Sequence, residues 1–260
     1  MTRVLVLGNS HAATLRRAFP ALAADNPTLD LTFWGLPGAA FDKARTDADG
    51  VLRPDPTDRV SLRKVDQWND CTHADLSAHD RIFLVGLRFN LRPVLTLFGA
   101  LQPLQWGRRD GALGVSDSFL RAAIRAAVDA TLAALTARIQ LDDRCVLMPA
   151  PYPAACVTQH ERGHFEPVTT TASSLPHASE MMDVFETAIT SASAARGLGL
   201  LLQPRETLER PFLTQDRFLD DSARDARHMN DDYGHIALRA LLAFSAMKEA
   251  TASRARLTHA

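Results

Sequence analysis

Val4-Leu5-Val6-Leu7-Gly8-Asn9-Ser10-His11 is the stretch on which the reading of this chain turns. Four aliphatic residues in a row, two of them β-branched, predict a strand buried on both faces. Gly8 breaks the run. Beyond it Leu15, Ala18, Phe19 and Leu22 recur at the i, i+3, i+4, i+7 spacing of an amphipathic helix. The chain therefore opens strand, tight turn, helix, with Gly8-Asn9-Ser10-His11 in the turn.

Working outward, further apolar runs predict strands over 29–34, 82–86, 145–148 and 200–202. Between them, Leu120, Ile124, Val128, Leu132, Leu135 and Ile139 mark one long helix, and Met181, Phe185, Ala188, Ile189 and Ala192 a second. Gly197 is placed to cap that second helix. A last helix starts near Asp231 and carries Ile236, Leu238, Leu241 and Leu242. Strands alternating with helices predict a parallel sheet covered on both faces, with ligands beyond the carboxyl ends of the strands. Residues 42–80 give no clean period and read as an insertion. Residues 92–115, with Pro93 and Pro103, read as irregular, and the stretch from Pro149 to His177 as a long polar loop. The whole reads as a single domain over 1–250, followed by a polar, frayed tail over 251–260.

Composition narrows the classes. The 260 residues are 46% hydrophobic and 23% charged, enough to bury a core without staples. Twenty-nine basic residues against thirty acidic ones leave a formal net charge of -1, which excludes the basic footprint of a dedicated nucleic-acid binder. The apolar runs fall short of the roughly 18 residues of a membrane span. Cys71, Cys145 and Cys156 form no disulfide framework and no zinc knuckle. The chain enters Val4 to Leu7 without the pattern of a secretory signal, and the expected location is cytoplasmic.

Two segments carry candidate chemistry. Ser10 sits at the mouth of a helix, where unpaired N–H groups favour a developing oxyanion. The same position suits a plain N-cap serine, so the two roles compete. Asp225-Ala226-Arg227-His228 precedes the last helix. A serine hydroxyl needs a base near neutral pH, and the base needs a carboxylate to fix its tautomer. Three residues apart in a loop, Asp225 and His228 can supply both. A rival is His160-Glu161-Arg162-Gly163-His164, the H-E-x-x-H spacing of a zinc peptidase, with Glu180 as a third ligand. Gly163, the nearby Pro167 and the missing apolar stripe weigh against a helix there.

Taken together, Gly8-Asn9-Ser10-His11 and Asp225-x-x-His228, with the trailing His228-Met229-Asn230 and Tyr233-Gly234, resemble the SGNH (GDSL-like) hydrolase superfamily. The style of the motifs is similar to SGNH domains attached to polysaccharide acyltransferases. The resemblance implies a flavodoxin-like three-layer α/β sandwich with about five parallel strands and loop insertions. It implies Ser10 as nucleophile, with His228 and Asp225 completing a catalytic triad. It also implies an oxyanion hole built from the Ser10 amide, a glycine after the second strand (Gly38, or Gly35) and an asparagine after the third. In Gly86-Leu87-Arg88-Phe89-Asn90 the expected asparagine position holds Arg88, and Asn90 comes two positions later. Asn90 or Arg88 would complete the hole, and Arg88 could bind a substrate carboxylate or phosphate. His11, Trp34 and Phe89 flank the site and could touch substrate. The expected function is ester hydrolysis or O-acyl transfer, with carbohydrate esters among the candidate substrates, through an acyl-enzyme on Ser10, with no metal or organic cofactor. The expected partner is a small-molecule or glycan acyl ester, with no nucleic acid and no membrane span. A non-catalytic carbohydrate- or acid-binding module on the same scaffold, and the zinc peptidase, are the alternatives.

Overall fold

The structure is a computed structural model that describes residues 2–26, 29–87, 91–107, 109–159, 176–220 and 226–257. Five parallel strands form the central sheet: β1 (Arg3–Gly8), β2 (Asp30–Gly35), β3 (Arg81–Leu87), β4 (Cys145–Pro149) and β5 (Gly199–Leu200). Their spatial order is 2-1-3-4-5. That order belongs to the flavodoxin-like doubly wound fold, and its reversal beside β1 creates a crevice at the carboxyl ends of β1 and β3. The predicted class, a three-layer α/β sandwich around a five-stranded parallel sheet, is the observed one. The last strand is shorter than the sequence suggested, although Leu201 N–H still bonds the Leu147 carbonyl at 2.8 Å.

Alternation of side chains divides the core between the two faces of the sheet. Val4, Val6, Phe83, Val85, Val146 and Met148 pack against α1 (Ser10–Asp25) and the last helix. On the opposite face, Leu5, Leu7, Ile82, Leu84 and Leu147 pack against the remaining helices. These are α2 (Gly38–Phe41), α3 (Arg59–Trp68), α4 (Leu91–Ala100), α5 (Asp117–Thr136) and α6 (Ala178–Ala194). Ser116 caps α5 by accepting the Phe119 N–H, and Gly197, at φ 70°, ends the turn after α6 as expected. The last helix, α7 (Asp231–Leu257), continues into the segment read as a polar tail.

Two segments are more ordered than expected. The insertion over 42–80 holds α3 and three short antiparallel strands, Arg45–Thr46, Val51–Arg53 and Ala74–Asp75. Within the stretch read as irregular, α4 forms on the spacing Leu91, Val94, Leu95, Phe98, the last three of them buried. Pro93 falls in the first helical turn, where its missing N–H costs nothing. After α4, Leu101–Pro103 and Leu113–Val115 pair as a short parallel ribbon. Among the described residues, no helix is long and apolar enough to cross a membrane.

Candidate active site

Two ends of the sequence meet at the carboxyl end of β1. Asn9 follows the strand, and its Oδ1 accepts the His11 N–H at 3.0 Å. Asn9 is therefore the N-cap of α1, and Ser10 is the first helical residue. The competing role for Ser10, as the cap itself, is filled by its neighbour. The Ser10 hydroxyl instead lies 2.9 Å from His228 Nε2, across 218 positions of sequence. Both residues are half-buried. With Nε2 unprotonated, Ser10 donates to it, and the spacing is that required between a nucleophile and its general base.

His228 is held by its backbone neighbours. Asp220 N–H donates to the His228 carbonyl at 3.0 Å, and Asn230 N–H to the Phe218 carbonyl at 2.8 Å. The Met229 carbonyl accepts from Thr14 Oγ1 at 2.9 Å and from the Arg17 guanidinium at 3.2 Å. Asn230 Oδ1 accepts the Tyr233 N–H at 3.2 Å, which caps the first turn of α7. Arg17 also pairs with Asp220 at 3.1 Å and Asp231 at 2.7 Å. Gly234 lets α1 and α7 approach, since a Cβ there would lie 2.6 Å from the Thr14 carbonyl. The motif residues trailing His228 thus tie its loop to the helix that carries Ser10.

His11 lies beside the general-base candidate. Its ring stacks on that of His228, with centroids 5.2 Å apart and planes at 20°. Gly86, at φ 71°, lies close to His11. A Cβ on Gly86 would come within 2.3 Å of Asn9 Oδ1 and 2.8 Å of His11 Cβ. Asn9 Nδ2 donates to the Gly86 carbonyl. The register of β3 against β4 shifts between Val85 and Leu87, so this contact sits on a bulge of the kind that re-aims the chain at sheet ends.

Of the two candidate glycines, Gly35 is the last residue of β2 and has its amide spent. Its N–H donates to Asn69 Oδ1 at 2.7 Å, and its carbonyl accepts from Asn69 Nδ2 at 2.9 Å. Gly38 opens α2 and remains the candidate donor. Trp34 is a core residue, 1% exposed, and also lines a cavity beside Asn9. Asp225, Arg88, Phe89 and Asn90 lie outside the described residues, as do His160, Glu161 and His164. Glu180, the third ligand of the zinc alternative, is 3.4 Å from His177. Among the described residues there is no group of three or more His, Cys, Asp or Glu able to hold a metal.

Sequence reasoning did not single out Thr14, Asn69 or the role of Gly86. The partners of Thr14 and Asn69 are 215 and 34 positions away, and no local pattern announces them. Gly86 did carry a signal, as a glycine ending an apolar strand.

No family model matches the chain, and no curated protein matches it. Among solved structures, it is similar to an extracellular lipase from Streptomyces rimosus: 14% identity, 92% of this chain and 99% of that chain, TM-score 0.39. A DUF4886 family protein from Bacteroides uniformis is 12% identical over 92% of this chain and 81% of that one, with a TM-score of 0.40. A salicylyl-acyltransferase from a tetracycline biosynthetic pathway is 13% identical, over 94% of this chain and 55% of that one, with a TM-score of 0.38.

Proposed function

We propose that this chain is a serine-dependent ester hydrolase or O-acyltransferase that works through an acyl-enzyme on Ser10. The observation that carries the reading is the 2.9 Å contact between Ser10 Oγ and His228 Nε2 at a helix whose cap is supplied by Asn9. A serine needed only as a cap would be bonded to its own helix.

In the first step Ser10 Oγ bonds to the ester carbonyl carbon while its proton passes to His228 Nε2. The tetrahedral intermediate collapses by breaking the bond to the alcohol oxygen, which takes the proton back from His228. Water, or an acceptor hydroxyl such as that of a sugar, then repeats the sequence and releases the acyl group. Asp225, by the motif resemblance, orients the other imidazole nitrogen. The amides of Ser10 and Gly38, with Asn90 or Arg88, are the proposed donors to the oxyanion; one such donor contributes about 3–4 kcal/mol to lowering the barrier.

The test is intact-mass analysis after treatment with a fluorophosphonate, with the modified peptide mapped. One adduct on Ser10 is expected, absent in Ser10→Ala and formed roughly 10²–10⁴ times more slowly in His228→Ala. A folded protein that gains no adduct overturns the catalytic reading and favours a binding module on this scaffold.

A further inference from the structure

The last torsion of a histidine side chain is broad, so the plane of an imidazole is set by what packs against it. For His228 that plane decides whether Nε2 meets the Ser10 hydroxyl, 2.9 Å away, or turns aside. The bonds to the His228 and Met229 carbonyls and from the Asn230 N–H hold the loop. They act on its main chain and not on the ring.

What lies against the ring is His11. The two imidazoles stack with centroids 5.2 Å apart and planes 20° from parallel. His11 is half-buried and follows Ser10 directly in the first turn of α1. Its N–H donates to Asn9 Oδ1 at 3.0 Å, and the Ala12 N–H to the Asn9 carbonyl at 2.9 Å, so its backbone is fixed there. The end of β3 limits its side chain. A Cβ on Gly86 would lie 2.8 Å from His11 Cβ and 3.0 Å from His11 Cδ2, so the main chain at Gly86 runs close to both. Gly86 is itself tied to the cap of α1, through Asn9 Nδ2 and the Gly86 carbonyl. His11 thus offers a flat face held from two sides, on the helix that carries Ser10.

We infer that His11 is a positioning residue: its ring sets the plane of the His228 imidazole so that Nε2 faces Ser10 Oγ. The inference rests on the serine reading above and adds a residue to it. In this role His11 takes no proton from Ser10, because the contact to the hydroxyl is made by His228. It contributes a planar surface that locks the rotamer of the base, and so places base and nucleophile on one rigid element. The ring nitrogens of His11 are not needed for that, and another aromatic ring can do it.

The experiment measures the second-order rate of Ser10 modification by a fluorophosphonate in the natural chain and in His11→Ala, His11→Leu and His11→Phe. Urea unfolding reads the stability of each variant separately. Leucine fills space without a flat face, and phenylalanine keeps the face without the nitrogens. A misplacement of about 1 Å in a reacting pair costs up to roughly 100-fold, so the alanine and leucine variants should slow by about tenfold or more. His11→Phe should recover most of that loss, whatever the order of the stabilities. Each rate is taken with an ethyl and a decyl probe, and the fall should be the same with both. A fall that differs between the probes makes His11 a substrate contact and overturns the inference. His11→Phe as slow as His11→Leu assigns the role to the nitrogens and overturns it as well, as does a natural rate in His11→Leu. The comparison of leucine with phenylalanine stands even where His11→Ala does not fold. No adduct in the natural chain overturns the serine reading and this inference with it, whereas the other outcomes leave an activated serine in place.

Discussion

Gly86→Ala tests whether the turn after β3 and the cap of α1 are fitted to each other. Gly86 has φ 71°, and a left-handed conformation costs an alanine roughly 1–2 kcal/mol. Its new Cβ would sit 2.3 Å from Asn9 Oδ1 and 2.8 Å from His11 Cβ, so one side must give way. Such overpacking adds about 1–3 kcal/mol, and the stiffer unfolded chain returns about 0.4–1 kcal/mol. Gly197→Ala is the matched control: its φ is 70°, and nothing lies within 4 Å of where the Cβ would be. The strain is common to both variants, and the contact belongs to Gly86 alone. Urea unfolding followed by tryptophan fluorescence should therefore place Gly86→Ala about 2 kcal/mol below Gly197→Ala. Fluorophosphonate modification of Ser10 should also slow in Gly86→Ala, because the groups displaced are the cap of its helix and the ring stacked on His228. Equal losses of stability, within about 0.5 kcal/mol, would refute the argument that Gly86 is required by this contact rather than by its φ.

Two further outcomes follow from the same geometry. Thr14→Val removes the bond from Thr14 Oγ1 to the Met229 carbonyl, both buried, and should cost about 1–2 kcal/mol in unfolding experiments and lower the Ser10 modification rate. An unchanged rate would show that this tie does not position His228. Among the thiols, Cys71 is exposed, whereas Cys145 is buried and burial pushes its thiol up to about 11. Cys156 is pushed to about 11 as well, by partial burial and by the Asp216 carboxylate beside it. A raised value leaves little thiolate at pH 8, so a thiol reagent should modify Cys71 quickly and the other two only after denaturation; three rapid equivalents in the native protein would contradict the burial.

How far the sequence could be read depended on the length of each element. Val4 to Leu7 is buried on both faces and reads as what it is, because nothing polar is allowed in a strand covered by helices on both sides. The insertion over 42–80 resisted for the opposite reason. Its strands are two or three residues long, too short for any period to show. In α3 the hydrophobic pattern misleads: Val60 and Leu62 are exposed, while Ser61 and Val65 are buried. What fixes this helix is its cap, with Asp58 accepting the N–H groups of Val60 and Ser61. For α4 the spacing of Leu91, Val94, Leu95 and Phe98 was present in the sequence, and Pro93 concealed it. Proline reads as a breaker unless the helix is already known to start two residues earlier.

The candidate site shows a related limit. Ser10 and His228 were legible because each abuts a regular element, the end of a strand and the start of a helix. Their partnership is a fact about where α1 and α7 meet. The residues that enforce the meeting, Thr14, Arg17 and Gly234, look like ordinary helix positions in one dimension. Asn9 is the instructive case. An aspartate there could accept the His11 N–H equally well, and would be a good N-cap. It could not donate to the Gly86 carbonyl as the Asn9 amide does. The amide therefore joins the cap of α1 to the bulged end of β3, and the left-handed glycine opposite it leaves the space that the amide fills. An asparagine at position 9 is thus coupled to the local shape of the end of β3.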